Sequence, residues 1–252
     1  ARVSERIDGR HVHRTLERRA DVVIIGSGPA GSAAAREVAR SGASVIVIEA
    51  GRWFAPREFQ LSAFHSMADT YRDMGASVVL GSAPTPFVQG KLVGGSSPIN
   101  GAICWRTPRD VYDEWLRRDR ALADALPWDL LEATTDMLEA RLNVRPTDPA
   151  IAGAKNQLLA RGAEALGLAH RPIRRNVQGC EGLGRCMQGC PNARKLSVDA
   201  TLLADAEQAG AVVLSSTEVT SIDVRAGRAM GVRGVTDGGA EVRVHAARAV
   251  IV

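Results

Sequence analysis

The sequence predicts an α/β fold, a parallel sheet begun by a βαβ unit, interrupted by a helical insertion and resumed as a β-meander. Three observations predict it. Four consecutive β-favouring apolar residues, Val22–Ile25, end at Gly26, and an alanine-rich stretch and a second apolar run, Val45–Ile48, follow within about thirty residues. The middle third carries apolar residues at helical spacing. The last forty residues alternate in short apolar runs separated by turn formers.

The first strand is read over 21–26 (DVVIIG), apolar on both faces as a strand buried on both sides must be. The helix is read over Pro29–Ser41, where a proline near the start removes an N–H that has no intrahelical partner. Gly42 stops it, and the second strand runs over Ser44–Glu49. Such a unit has parallel strands and a right-handed crossover. Helices are then expected over Pro108–Asp119, Trp128–Leu142, Asp148–Leu168 and Ser197–Ala209. Strands are expected over Ala211–Leu214, Val219–Val224, Ala229–Val235, Glu241–Val244 and Ala249–Val252, with turns at Gly227 and Asp237–Gly239.

The chain of 252 residues is 45% apolar and 24% charged, which excludes a disordered, collagen-like or disulfide-scaffold protein. No apolar run is long enough to span a bilayer. The net charge of +4 comes with 4% aromatics and dispersed arginines, a pattern that does not fit a nucleic-acid surface. The dense run Arg10–Arg19 reads as a solvated arm.

Gly26, Gly28 and Gly31 form G-x-G-x-x-G between a buried strand and a helix. The first glycine permits the tight turn, the second lets a pyrophosphate approach the backbone, and the third lets helix and strand pack closely. Ser27, Pro29 and Ala30 fill the loop, and the helix N-terminus faces the phosphates. Glu49, eighteen residues past Gly31, ends the second strand where a carboxylate can accept from ribose hydroxyls. An adenine dinucleotide is therefore expected in a Rossmann-like domain. NAD and FAD share this arrangement, and Ala50 and Gly51 after the acid favour FAD.

A second glycine-rich loop, residues 90–101 (GKLVGGSSPING), permits close approach of backbone N–H groups to a flat polar ring. It resembles the first signature of the glucose-methanol-choline (GMC) oxidoreductases, a flavoenzyme family, and departs from it at Cys104 and Thr107. Arg106–Pro108, the segment Asn176–Ser197 and the closing hairpins are similar to the bacterial branch that includes long-chain-alcohol and sterol-type enzymes. The resemblance implies FAD, with Gly94, Gly95 and Ser97 among its contacts. It also places Asn100 and Gly101 beside the isoalloxazine, and Val219 against the adenine through its backbone.

Cys180, Cys186 and Cys190 crowd into eleven residues. Three thiolates there could hold an iron–sulfur cluster, form a disulfide or structural turn, or bind zinc with a fourth ligand. Cys104 reads as a small buried hydrophobe, and the five histidines show no catalytic or metal-binding spacing.

The expected organisation is an arm over 1–20, a first FAD-binding segment over 21–110 and a helical insertion over 111–178. A cysteine-rich loop over 179–196 and a second FAD-binding segment over 197–252 complete it. The start at Ala1 and the close inside an apolar run suggest part of a longer parent, with the substrate domain largely missing and the catalytic residues beyond Val252. The resemblance implies an enzyme moving a hydride from an apolar alcohol CH–OH group to flavin N5, its electron acceptor unassigned, and the crowded cysteines suit a cytoplasmic location. The alternatives are an FAD-binding electron-transfer subunit, with or without an iron–sulfur cluster, and an NAD-dependent dehydrogenase.

Overall fold

The computed structural model describes residues 5–59 and 61–252. Along the chain run β1 (Arg6–Asp8), β2 (Leu16–Ile25), α1 (Pro29–Arg40), β3 (Val45–Ile48), α2 (Ala63–Thr70), β4 (Val78–Val79) and β5 (Thr85–Pro86). They are followed by α3 (Arg109–Arg118), α4 (Leu122–Ala125), α5 (Trp128–Arg141), β6 (Val144–Pro146), α6 (Pro149–Ala165) and β7 (Arg174–Asn176). The chain closes with α7 (Leu202–Gln208), β8 (Val212–Ser215), β9 (Thr217–Arg225), β10 (Arg228–Thr236) and β11 (Glu241–Ile251). Contacts divide it into two compact units, one of residues 1–100, 185–193 and 197–252, the other of residues 101–184 and 194–196.

In the first unit, seven of the described strands form one sheet in the order β1-β8-β3-β2-β11-β10-β9. The first five are parallel, and β10 and β9 turn back antiparallel. Strand periodicity explains why both runs of the βαβ unit are apolar throughout. Val22, Ile24, Val45 and Val47 pack with Ala35 and Ala39 of α1 and Leu203 and Ala206 of α7. Val23, Ile46 and Ile48 join Val232, Val242 and Val244 in a second cluster. The expected strands Glu241–Val244 and Ala249–Val252 are one strand. Its register against β2 slips between Ala246 and Ala249, a bulge that bends β11 without ending it. The expected helix Ser197–Ala209 is a short 3-10 turn, Val198–Ala200, and then α7, because Thr201 takes non-helical dihedrals (φ −128°, ψ −87°).

The reading of Arg10–Arg19 as a solvated arm, within an arm over 1–20, is corrected, residues 1–4 lying outside the described residues. Leu16–Ala20 pairs with Val242–Ala246 as the first half of β2, and β1 pairs with β8 at the sheet edge. The charges at Glu17, Arg18 and Arg19 are exposed, while Ala20 is buried and Leu16 half-buried, so the charge run hides a strand that keeps its apolar ends inside. Arg6 anchors the edge. Its guanidinium donates to buried Glu207 at 2.5 and 2.8 Å and lies 3.7 Å over the Trp53 ring.

Asp8 accepts from the Arg10 backbone at 3.1 Å and from its guanidinium at 2.6 Å, and this pairing holds its carboxyl near a pKa of about 2 against 3.8 ordinarily. A depressed carboxylate stabilises the fold fully above its unfolded value and loses that contribution as pH falls through its folded one. The gap in Tm between wild type and Asp8→Asn is therefore expected to close between about pH 4 and pH 2. The pair is largely solvated, so the gap at neutral pH should correspond to under about 1 kcal/mol. A gap that stays constant across that range would refute the linkage.

The second unit contains α3 to α6 and the antiparallel pair β6 and β7. Glu139 on α5 accepts from Arg106 at 2.5 Å and from Arg174 on β7 at 2.5 and 2.8 Å, which ties helix, loop and strand together. The two guanidinium groups, Arg106 first, hold its carboxyl below the ordinary range.

Candidate functional site

At the carboxyl ends of β2 and β3 the first unit contains a cavity of about 370 Å³. Gly26 leaves the sheet with φ +93°, a conformation that suits glycine, and its N–H donates to the Ile48 carbonyl at 2.8 Å. Gly28 is the N-cap of α1, and a side chain built there would meet nothing nearer than the Gly95 Cα at 3.9 Å. Gly31 is the opposite case. A Cβ there would overlap the Gly26 carbonyl oxygen, so the third glycine is needed for helix-to-strand packing.

The second loop packs directly on the first. A Cβ on Gly95 would come within 2.8 Å of the Gly28 Cα, and the Gly94 N–H donates to the Ser27 hydroxyl at 2.9 Å. Gly94 and Gly95 both have positive φ, +93° and +59°. Glu49 is buried, and its carboxylate is already engaged. Its Oε2 accepts from the Ser27 N–H at 2.9 Å and the Ser27 hydroxyl at 2.7 Å, and its Oε1 accepts from the Gly51 N–H at 2.9 Å. Two carboxylate oxygens offer about four acceptor positions, so capacity remains for a ligand hydroxyl.

Of the residues singled out from the sequence, Gly26, Gly28, Pro29, Glu49, Ala50, Gly95 and Val219 line the cavity. Ser27, Gly31 and Gly94 stand behind it as described, and Ala30 and Asn100 are off its lining. Ser97 is also off the lining. Its buried hydroxyl accepts from the Val198 N–H at 3.0 Å, and neighbouring Ser96 faces the cavity instead. Gly101 belongs to the second unit. Sequence reasoning missed Arg72, Gln89, Gly90, Thr217 and Glu218 on the lining. Only Gly90 carried a signal, as the first residue of the second glycine loop.

None of the four cysteines forms a disulfide, so the disulfide reading of the cysteine segment is not upheld. Cys186 begins a 3-10 turn, and Gly189, with φ +91°, turns the chain before Cys190 under the Phe59 ring. Cys180 falls in the second unit while Cys186 and Cys190 fall in the first. Among the described residues no three His, Cys, Asp or Glu side chains converge as a metal ion requires. Cys104 is half-buried, and desolvation pushes its thiol pKa up, away from nucleophilic use.

The family model described as GMC oxidoreductase matches residues 20–252. The chain belongs to the GMC oxidoreductases. An uncharacterized GMC-type oxidoreductase of Mycobacterium tuberculosis is 39% identical over 216 residues, 85% of this chain and 34% of that protein. The Arabidopsis thaliana long-chain-alcohol oxidase FAO1 is 32% identical over 204 residues, 80% of this chain and 26% of that protein. This GMC chain thus spans about a third or less of the length of those relatives. Pyridoxine 4-oxidase from Mesorbium loti shares its fold, with a TM-score of 0.63 at 16% identity over 92% of this chain and 48% of the other. Formate oxidase of Aspergillus oryzae does so at a TM-score of 0.61 and 16% identity, over 93% and 45%. The GMC enzymes are flavoproteins, so FAD is the cofactor and the nicotinamide reading of the βαβ unit is set aside. The residues fit it. The open space beside Gly26 and Gly28, which a Cβ would enter, is the cradle that a pyrophosphate needs. Among the described residues no helix is long and apolar enough to cross a membrane.

Proposed function

We propose that the chain is the FAD-binding part of an oxidoreductase that removes a hydride from the CH–OH group of an apolar alcohol. The observation that carries this reading is the contact of the two glycine loops, Gly95 against Gly28, at a cavity that Glu49 also lines. Gly26 and Gly28 admit the pyrophosphate to the backbone N–H groups at the start of α1, Glu49 receives a ribose hydroxyl, and Val219 borders the adenine. Bound FAD supplies the acceptor for the hydride. The chain's part is to hold the dinucleotide in one orientation and keep the cofactor's phosphates in a concave, partly dry site. The proton of the substrate hydroxyl goes to a base, in this reading a histidine outside the 252 residues.

The likeness to long-chain-alcohol oxidases supports a long, apolar alcohol as substrate. The full-length parent, mixed anaerobically with a fatty alcohol, a sterol and a short polar alcohol, is expected to lose its oxidised-flavin absorbance with the apolar substrates and yield the corresponding carbonyl compound. A flavin that stays oxidised with all three would overturn the alcohol assignment. A parent that carries no flavin would overturn the whole reading.

A further inference from the structure

We propose that Arg72 is the cation that clamps the diphosphate of the bound dinucleotide, an inference that rests on the reading of the cavity as a dinucleotide site. Arg72 lies in neither glycine loop and in no part of the family signature. It lines the cavity nonetheless. Its backbone is fixed against the second loop, with the Arg72 N–H donating to the Gln89 carbonyl at 2.8 Å and Tyr71 bridged to Gly90. Gly90 in turn donates to the Ser96 hydroxyl at 2.9 Å and abuts Gly95, which abuts Gly28. A short series of backbone contacts therefore ties Arg72 to the loop that opens α1.

The charge arrangement points the same way. Arg72 is half-buried, and among the described residues no carboxylate pairs with it. Glu49, the buried acid of the cavity, is already occupied by Ser27 and Gly51. The other cavity acid, Glu218, lies beside Val219 on β9. A guanidinium with no carboxylate beside it keeps its donors available to an anion, and its planar fork suits two phosphate oxygens. Backbone N–H groups at the start of α1 give the diphosphate neutral donors, and Arg72 is the basic residue that the cavity adds to them.

The test titrates the chain and its Arg72→Gln and Arg72→Lys variants calorimetrically with ADP, AMP and adenosine. Arg72→Gln is expected to weaken ADP by about 10- to 100-fold, the worth of a charge-assisted hydrogen bond pair, and to leave adenosine within about twofold. AMP should lose less than ADP. Arg72→Lys, which keeps the charge and removes the fork, should fall between wild type and Arg72→Gln, and it serves alone if Arg72→Gln does not fold. ADP affinity unchanged in both variants, or an equal loss for adenosine and ADP, would overturn the assignment. A wild-type chain that binds neither ADP nor adenosine would instead overturn the dinucleotide reading and Arg72's role with it.

Discussion

Alanine at Gly28 is expected to leave apo stability unchanged and remove tight FAD binding, whereas alanine at Gly31, three residues on, is expected to destabilise the fold itself. The two glycines share one motif but are glycine for different reasons. A methyl group at Gly28 meets nothing nearer than 3.9 Å, and the φ of −62° there is one that any L-residue adopts, so the apo protein has no cause to be destabilised. The methyl occupies the space through which the pyrophosphate would approach the backbone, and losing one or two charged hydrogen bonds there corresponds to about 3 kcal/mol, or roughly a hundredfold in Kd. At Gly31 the methyl overlaps the Gly26 carbonyl oxygen and presses on Ile24 at 3.4 Å. Relief requires α1 to move off β2, and overpacking of this kind costs about 3 kcal/mol or more from a total that is commonly about 5–15 kcal/mol. Thermal melts of the apo variants, followed by FAD titration of whichever fold, separate the two. Equal Tm losses, or a Gly28→Ala protein that retains full FAD affinity, would show that the glycines do not divide these roles.

That division also explains what the sequence could disclose. Gly26, Gly28, Gly31 and Glu49 were legible because each answers a local demand of backbone geometry or hydrogen bonding that few residue types meet. The βαβ unit was legible because a strand buried on both faces must be apolar at every position. β1 and the first half of β2 were hidden. A strand whose outward residues are Glu17, Arg18 and Arg19 looks like a charge run until β11 is placed beside it. Ser97 and Ser96 could not be told apart, since what turns Ser97 from the lining is a hydrogen bond with Val198, a hundred residues away in the chain. Arg72 had no local signature at all. Its significance comes from tertiary placement, through Gln89 and Gly90, beside loops that it does not belong to.

Removal of the Glu49 carboxylate is expected to damage the apo fold as well as FAD binding, which sets this acid apart from one that serves a ribose alone. Its oxygens accept three hydrogen bonds in a buried position, two from Ser27 and one from Gly51, and Ser27 in turn receives the Gly94 N–H. The carboxylate thus joins the first glycine loop, the end of β3 and the second glycine loop into one polar network. Glu49→Ala leaves those donors buried without a partner, at about 1–3 kcal/mol for each group that water cannot reach, so a loss of about 3 kcal/mol or more in apo stability is expected. Glu49→Gln should be milder but not neutral. One amide oxygen can still accept from Ser27, while the amide nitrogen is set donor to donor against the Gly51 N–H. Ser27→Ala removes one link of the same network, so the double variant with Glu49→Gln should lose less stability than the two single losses added together. Denaturant melts of the apo proteins measure all four. Strict additivity of Ser27→Ala and Glu49→Gln, or an apo Glu49→Gln protein as stable as wild type, would mean that the two glycine loops are positioned without this acid and that Glu49 acts on the ligand alone.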